Sequence, residues 1–262
     1  MSHEPIRSVA IVTGASRGLG FAMARGLAGA GFSVLMTAST NDGSIEKAAQ
    51  AIDAETGRAC TLAVVADVTA EDACRSVVAQ AIERFAGLHV LVNNAGRGMR
   101  TVSERFLTEP TRFWEIEPAT WRMLIDANVN GPFLMARAAV PHFLTQGWGR
   151  VINISMNRET MRRRGFSPYG PSKAALESET AIWAQDLADT GVTVNALLPG
   201  GATRTGMIPG GTPPSMLASL LDPTVVVPPL LWLASRQSDG VTGKRLDAAR
   251  WSPEISGLES AG

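Results

Sequence analysis

Short apolar runs alternate along the chain with longer amphipathic stretches. The apolar runs are typical of buried strands and lie at 8–12, 32–37, 60–66, 89–92, 150–155, 192–198 and 245–247. The amphipathic stretches are typical of helices and lie at 18–30, 44–55, 71–85, 119–144 with a break near 131–132, 167–189 and 224–234. Strands that alternate with helices pair in parallel through right-handed crossovers. We therefore predict an α/β fold, a doubly wound parallel sheet of about seven strands with helices on both faces.

A glycine-rich turn follows the first predicted strand. Three glycines, Gly14, Gly18 and Gly20, stand between that strand and a helix in the spacing GxxxGxG. Glycine permits positive φ and a close approach of backbone to ligand. The helix N-terminus then offers free N–H groups and a positive dipole end to a pyrophosphate. The segment predicts a phosphate-binding turn, and an ordinary glycine-rich turn is the alternative.

Polar residues also follow the third and fourth predicted strands. Asp67 and Val68 follow the third, and the Asp67 carboxylate could accept from an adenine amino group. The fourth strand leads into residues 93–96, Asn-Asn-Ala-Gly, which could form the wall of a cofactor cleft. Ligands of such sheets bind at the carboxyl ends of the strands. Asp, Asn and Gly also form ordinary turns, which is the alternative at both places.

An acid/base pair is predicted on the long helix at 167–189. Lys173 follows Tyr169 by four positions, so the two side chains share one face of the helix. A free phenol titrates near pH ~10, and a nearby ammonium favours the phenolate. Ser155 ends the fifth predicted strand, fourteen positions before Tyr169.

The chain resembles the short-chain dehydrogenase/reductase superfamily. The resemblance is carried, in this order along the chain, by the glycine-rich turn, Asp67, residues 93–96, Asn128, Ser155, Tyr169, Lys173 and residues 199–200. The resemblance runs from about residue 8 to about residue 248. It implies a Rossmann-type fold and one dinucleotide-binding and catalytic domain over 1–262, with substrate-side segments at about 97–120 and 201–223. It also implies an NAD(P)-dependent oxidoreductase that transfers a hydride between nicotinamide and a secondary alcohol or ketone.

The resemblance assigns roles to single residues. Tyr169 would be the general acid/base, and Lys173 would lower its pKa and bind the nicotinamide ribose. Asn128 falls where the family holds a water linked to the lysine, and the alternative is a helix-break amide satisfied by backbone. The glycines would cradle the pyrophosphate. The residues implied to bind the cofactor are Gly14, Ser16, Arg17, Gly18, Leu19, Gly20, Ser39, Asp67, Val68, Asn94, Ala95, Gly96, Tyr169, Lys173, Pro199 and Gly200.

The catalytic serine has two candidate positions. In the family it is most often the second residue of a Ser-Ser pair, thirteen positions before the tyrosine, and here the pair is Ser155-Met156. Either the loop carries one extra residue and Ser155 serves, or Met156 occupies the place of the hydroxyl. Ser155 is favoured because it is the nearby hydroxyl at a strand end.

The residues near the expected 2′ position favour NADP over NAD. Members that prefer NAD usually carry an acidic residue at the end of the second strand, and residues 36–40 contain none. Arg17 suits a 2′-phosphate through charge-assisted hydrogen bonds, and Ser39 and Thr40 would add hydroxyl donors. A solvated surface role for Arg17 and the use of NAD are the alternatives.

Two segments depart from the family's usual shape. The stretch from 97 to 120 carries Phe106, Phe113 and Trp114, which would form an apolar substrate wall or pack against a neighbour. The stretch from 156 to 166 carries Arg158, Arg162, Arg163 and Arg164. These arginines would form a solvated face or meet an anionic substrate.

Composition narrows the classes of function. Lys+Arg and Asp+Glu both number 24, so the charge excess expected of a nucleic-acid-binding protein is absent. The two cysteines suit a reducing compartment, and the dispersed histidines predict no metal site. No apolar run is long enough for a membrane span or a signal peptide, so we expect a cytoplasmic protein.

The partners expected are a small alcohol or carbonyl substrate and further copies of the chain. The resemblance implies a homodimer or homotetramer built on the helices at 129–144 and 167–189. The rival interpretation is a protein of another class, namely a regulatory protein that keeps the cofactor site and has weak or lost turnover.

Overall fold

Seven parallel strands form the centre of the computed structural model, which describes residues 8–252 and the backbone of 258–260. They are β1 (Val9–Val12), β2 (Ser33–Ala38), β3 (Thr61–Val65), β4 (Val90–Asn93), β5 (Gly149–Ile154), β6 (Val192–Leu198) and β7 (Lys244–Asp247). Their order is β3-β2-β1-β4-β5-β6-β7. This confirms the predicted doubly wound parallel sheet. The outer parts of the proposed domain, 1–7, 253–257 and 261–262, lie outside the described residues.

An eighth strand was not predicted from the sequence. β8 (Leu258–Ser260) pairs antiparallel with β7 at the edge of the sheet. A strand of 3 residues is too short to show the alternation by which strands are recognised.

The longer helices lie where the sequence predicted helices. They are α1 (Gly18–Gly29), α2 (Ser44–Thr56), α3 (Glu71–Phe85), α4 (Pro118–Ile125), α5 (Gly131–Gln146), α6 (Arg158–Met161), α7 (Tyr169–Asp186), α8 (Pro214–Ala218) and α9 (Val227–Leu233). α7 is shorter than predicted at both ends. Ser167 precedes a proline, which disfavours the helical conformation, and Asp189 has φ 60°.

At the predicted helix break near 131–132, the helical stretch continues and contains a π turn just before this point. A π turn over Asp126–Asn130 joins α4 to α5, and the Gly131 N–H donates to the Asp126 carbonyl five residues back. Pro132 has no N–H, so the Asn128 carbonyl lacks the donor that an α-helix would supply four residues along. The turn therefore places Asn128 at a distortion in an otherwise continuous helical stretch.

Both faces of the sheet are covered by helices. α1, α2 and α9 pack on one face, and α3, α5 and α7 pack on the other. Successive side chains of β1 alternate between the two cores, with Ala10 and Val12 in the first and Val9 and Ile11 in the second. This burial on both sides explains the near-continuous apolar strands.

The sheet order brings the loops after β1 and β4 together. β1 lies between β2 and β4, so the connections leave it in opposite directions. A crevice opens at such a switch point, at the carboxyl ends of the strands. In the described part of the chain, we find no helix with the length and apolar character that crossing a membrane requires.

Candidate active site

One groove at this edge of the sheet collects most of the residues predicted to bind a cofactor. Its volume is about 850 Å³. The predicted residues that line it are Gly14, Ser16, Arg17, Gly18, Leu19, Gly20, Ser39, Asp67, Val68, Asn94, Ala95 and Gly96. The remaining ones, Tyr169, Lys173, Pro199 and Gly200, do not line it.

The glycine-rich turn is a cradle that larger residues would fill. Gly14 and Gly18 have φ of 65° and 59°, which disfavours any L side chain. A Cβ on Gly14 would lie 2.8 Å from the Ala95 Cα, and one on Gly20 would lie 2.2 Å from the Gly14 carbonyl oxygen. The backbone here is therefore tightly packed and open toward the groove, as a pyrophosphate would need.

Asn94 holds the turn in place. Its side-chain amide donates to the Thr13 carbonyl at 2.8 Å and to the Gly14 carbonyl at 3.0 Å. In return, the Thr13 hydroxyl accepts from the backbone N–H groups of Asn94 and Ala95, each at 3.0 Å. The amide predicted to face adenosine is thus used to tie the loop after β4 to the turn after β1.

The end of the groove near β2 contains one acidic residue that the sequence analysis did not single out. Asp42 lines the groove together with Arg17, Ser39 and Thr40. The Asp42 carboxylate accepts from the Ser44 N–H at 3.0 Å, and hydrogen bonds from Ser44 lower its pKa. Asp42 is therefore ionised and held by its own turn, while the exposed Arg17 guanidinium faces the same groove.

Tyr169 and Lys173 meet at the start of α7, as their spacing predicted. Lys173 Nζ lies 6.0 Å from the centre of the Tyr169 ring, and it donates to the Ile154 carbonyl at 2.7 Å. Burial raises the pKa of Tyr169 to about 12. Burial also lowers the pKa of Lys173 to about 8, against the opposing effect of the Glu177 carboxylate. In this arrangement burial outweighs the lowering of the Tyr169 pKa that was expected from Lys173.

The Asn128 side chain is fully buried and satisfied by neighbouring groups. Its Oδ1 accepts from the Arg97 N–H at 2.8 Å, and its Nδ2 donates to the Arg97 carbonyl and the Ser172 hydroxyl, both at 2.9 Å. Ser172 in turn donates to the Tyr169 carbonyl at 2.7 Å. The side chain thus braces the start of α7 against the segment after β4.

The Ser155 hydroxyl is bonded to a buried carboxylate. Ser155 is buried, and its Oγ donates to Glu177 Oε1 at 2.5 Å. Met156 and Tyr169 both pack against the apolar cluster of Met99, Phe106 and Phe166. Ser155 and Met156 therefore both stay candidate positions for the catalytic serine.

Part of the segment 97–120 forms an apolar wall beside Tyr169. Met99 and Phe106 are buried, and the Phe106 and Phe166 rings meet edge to face at 5.8 Å. Phe113 and Trp114 contact each other but remain 70% and 67% exposed. They line a second groove of about 1120 Å³, together with Arg112, Arg158, Arg162, Arg163 and Arg164. Of the aromatic residues of this segment, Phe106 therefore belongs to the apolar wall, and Phe113 and Trp114 belong to the second groove.

The turn after β6 packs against the end of β7. Gly200 has φ 89°, and a Cβ there would lie 2.1 Å from Asp247 Oδ1. Beyond this turn, Arg100 donates to the Gly206 carbonyl at 2.8 Å. The two predicted substrate-side segments, 97–120 and 201–223, thus meet over the groove. Among the described residues, no three His, Cys, Asp or Glu side chains cluster as metal ligands would.

Comparisons with known proteins show which family the chain belongs to. Residues 8–210 match the family model described as short chain dehydrogenase. The chain is 36% identical over 205 residues to a gluconate 5-dehydrogenase from Gluconobacter oxydans, covering 76% of this chain and 75% of that protein. It is 35% identical over 192 residues to a 3-oxoacyl-[acyl-carrier-protein] reductase from Synechocystis, covering 73% of each.

A solved structure gives the same result for the fold. The 3-ketoacyl-(acyl-carrier-protein) reductase from Brucella melitensis, complexed with NADH, matches with a TM-score of 0.80 and 28% identity, covering 93% of this chain and 97% of that chain. The chain belongs to the short-chain dehydrogenase family and is an oxidoreductase with a Rossmann-type fold. The rival interpretation of a regulatory protein without turnover finds no support in these relatives, which are named as dehydrogenases and reductases.

Proposed function

We propose that the protein transfers a hydride between a nicotinamide cofactor, preferably NADP(H), and a secondary alcohol or ketone. The observation that carries the proposal is the pair of half-buried Tyr169 and buried Lys173 on one face of α7, beside the apolar wall. The glycine-lined groove at the same edge of the sheet supports it, since its residues fit a dinucleotide. The named activities of the relatives and the NADH in the Brucella melitensis structure also support it.

The residues would divide the chemistry as follows. When bound, the nicotinamide supplies or accepts the hydride. In the reducing direction, the Tyr169 hydroxyl donates its proton to the substrate oxygen as the carbonyl carbon gains the hydride. The high pKa keeps this hydroxyl protonated before reaction. The Lys173 ammonium then stabilises the phenolate that remains, because an opposite charge nearby favours the charged form.

The same residues would also hold the cofactor and return the proton. We propose that the glycine-rich turn binds the pyrophosphate and that Tyr169 and Lys173 bind the nicotinamide ribose. The Asn128 main-chain carbonyl would accept from a water that links Lys173 to solvent, because Pro132 removes its helical donor. The apolar wall of Met99, Phe106 and Phe166 would exclude other water from the reacting carbon.

A panel of ketones tests the proposed function. The relatives point to three classes of probe. The two reported above suggest a 5-keto sugar acid and a 3-oxoacyl thioester. A 3beta-hydroxysteroid dehydrogenase 1 from Eggerthella lenta, 31% identical over 246 residues and covering 90% of each chain, suggests a 3-ketosteroid. We expect the protein to consume NADPH with at least one of them, measured by the loss of NADPH absorbance. Tight binding of NADPH with no turnover across all three classes would contradict the proposal.

The two candidate positions for the catalytic serine predict opposite results for one series of variants. Since the Ser155 hydroxyl is bonded to Glu177, we expect Ser155→Ala to lower kcat by less than about tenfold. Met156→Ser would place a new donor beside Tyr169 and should raise kcat by up to about 10²-fold. Steady-state kinetics of both variants and the wild type measure these changes in kcat. A loss of 10²–10³-fold in Ser155→Ala would show instead that Ser155 polarises the substrate oxygen, the cost typical of removing such a donor.

The preference for NADP rests on Arg17. Its exposed guanidinium lies beside Gly206 and lines the same groove as Ser39 and Thr40, and it would pair with a 2′-phosphate bound there. The Asp42 carboxylate also lines this groove, and it accepts hydrogen bonds from Ser44 and Thr40 in its own turn. NAD remains the alternative cofactor.

Arg17→Ala is expected to weaken NADPH binding by about 10–150-fold and NADH binding far less, because a charge-assisted hydrogen bond contributes about 1.5–3 kcal/mol. Fluorescence titration of both cofactors measures the two dissociation constants. Arg25→Ala is the matched control, since Arg25 lies on the same helix and pairs with Glu55 outside the groove. Equal weakening of NADPH and NADH would show that Arg17 does not bind the 2′-phosphate.

We also propose one catalytic domain, located in the cytoplasm, that assembles as a homodimer or homotetramer. Both cysteines are free thiols, which supports the location. Apolar side chains exposed on α5 and α7, such as Phe133 and Ile182 at 45% and 52%, support assembly through these helices. A light-scattering mass of a single 27.7 kDa chain would contradict the assembly.

A further inference from the structure

A buried ion pair lies behind the end of β5. Glu177 on α7 and Arg245 on β7 are 7% and 4% exposed, and Arg245 Nε lies 2.9 Å from Glu177 Oε1. Burying two charges has a large desolvation cost, so such a pair is weak evidence for a role in stability alone. Each partner makes a second hydrogen bond to the segment after β5. Ser155 Oγ donates to Glu177 at 2.5 Å, and Arg245 Nη2 donates to the Met156 carbonyl at 2.6 Å.

The pair is continuous with the catalytic face of α7. Tyr169, Lys173 and Glu177 follow one another at intervals of four residues, so they form one row along the helix. Lys173 holds the Ile154 carbonyl, so three consecutive residues at the end of β5 are each held by a different buried charged side chain.

The electrostatic setting of Lys173 agrees with this geometry. Burial lowers the pKa of Lys173, and the Glu177 carboxylate opposes that effect. Arg245 binds the same carboxylate oxygen from β7. The other charged side chains on elements packed against α7 are Arg122 on α4, Arg150 on β5, Asp126 in the π turn, and Arg158 and Glu159 on α6. Burial and the Glu177 carboxylate are the causes of the Lys173 pKa shift.

We propose that Glu177 and Arg245 are positioning residues for the reaction: together they fix the Ser155–Met156 segment against Tyr169, and Glu177 places a negative charge one helical turn from Lys173. The inference rests on the proposed function, because it names what supports the Tyr169–Lys173 pair. Neither Glu177 nor Arg245 touches the reacting atoms. Both act through Tyr169, Lys173 and the Ser155–Met156 segment.

The double variant Glu177→Gln/Arg245→Met tests the proposal. Gln keeps an oxygen that accepts from Ser155, and Met keeps much of the length of Arg245, so the main losses are the two charges and the anchor on the Met156 carbonyl. The matched control is Arg150→Met/Asp239→Asn, which removes an ion pair from the opposite end of β5. Glu177→Asp keeps the negative charge and serves as the conservative variant if the double variant does not fold.

Two readouts are measured on the full chain. The first is an NMR titration of the lysine side chains, of which the sequence has three, Lys47, Lys173 and Lys244. We expect the Lys173 pKa to fall by about one unit in the single variant Glu177→Gln, because an opposite charge nearby raises it by that order. It should fall less in Glu177→Gln/Arg245→Met, which removes a positive charge as well. The other two lysines should not shift, and Glu177→Asp should titrate as the wild type does.

The second readout is the pH profile of kcat/KM with NADPH. We expect the double variant to lose about 10–100-fold, with the loss in kcat and an unchanged NADPH dissociation constant. Its alkaline limb should move to lower pH, because the Lys173 ammonium loses its proton earlier. Glu177→Asp should recover part of kcat/KM.

An unchanged Lys173 titration would overturn the proposal, as would equal losses of kcat/KM in the double variant and the Arg150/Asp239 control. Absence of turnover in the wild-type protein would contradict the proposed function instead. The lysine titration would then still decide whether Glu177 keeps Lys173 charged.

Discussion

Tyr169→Phe is expected to lower kcat by about 10²–10⁴-fold, the range that a positioned general acid contributes. The substitution removes one hydroxyl and keeps the ring that packs with Met156 and Phe166. Among the described residues this hydroxyl has no hydrogen-bond partner, so its loss should not lower the free energy of unfolding. The glycine-lined groove is untouched and at most one hydrogen bond to the nicotinamide ribose is lost, so we expect the NADPH dissociation constant to rise by no more than about tenfold.

Steady-state kinetics and a cofactor titration measure these two quantities. Phe106→Leu is the control, since it disturbs the same apolar cluster without removing a proton donor. It should change KM more than kcat. If Tyr169→Phe kept most of the wild-type kcat, Tyr169 would not be the general acid.

Gly20→Ala should abolish high-affinity cofactor binding. The new Cβ would lie 2.2 Å from the Gly14 carbonyl oxygen and 2.6 Å from the Asn94 side-chain nitrogen, so the turn between β1 and α1 must shift. Overpacking of this kind costs about 1–3 kcal/mol. We expect the NADPH dissociation constant to rise by about 100-fold, measured by cofactor titration. The free energy of unfolding should fall by about 1–3 kcal/mol, measured by denaturant titration.

Gly29→Ala separates this effect from the general consequences of replacing a helical glycine. Gly29 lies on the same helix, has no positive φ, and has nothing within 4 Å of its would-be Cβ. Alanine should stabilise the helix there by up to about 1 kcal/mol and leave cofactor binding unchanged. Equal cofactor affinities in Gly20→Ala and Gly29→Ala would contradict the role given to the turn.

Local patterns were sufficient to predict the elements that place the site. The three glycines between an apolar run and a helix located the groove, because their backbone geometry is a local property. The four-residue spacing of Tyr169 and Lys173 predicted their contact, because an α-helix fixes that distance. The parallel order of the strands followed from the alternation of helices and strands.

Contacts between distant segments were not predictable in this way. The amide of Asn94, which lines the groove, also ties two loops together, and the Ser155 hydroxyl donates to Glu177. Arg245 lies 89 residues along the chain from Met156, whose carbonyl it binds. Such pairings depend on which side chains meet once the sheet is formed, and no spacing in a single sequence shows them.

The most direct test of the central claim is to follow the hydride itself. NADPH in which both C4 hydrogens are replaced by deuterium is mixed with whichever ketone of the panel the protein consumes, and the product alcohol is examined by mass spectrometry. We predict one deuterium on the carbinol carbon in the wild-type product, formed at least about 10²-fold more slowly by Tyr169→Phe. An alcohol without deuterium, or equal rates in the two proteins, would contradict the account.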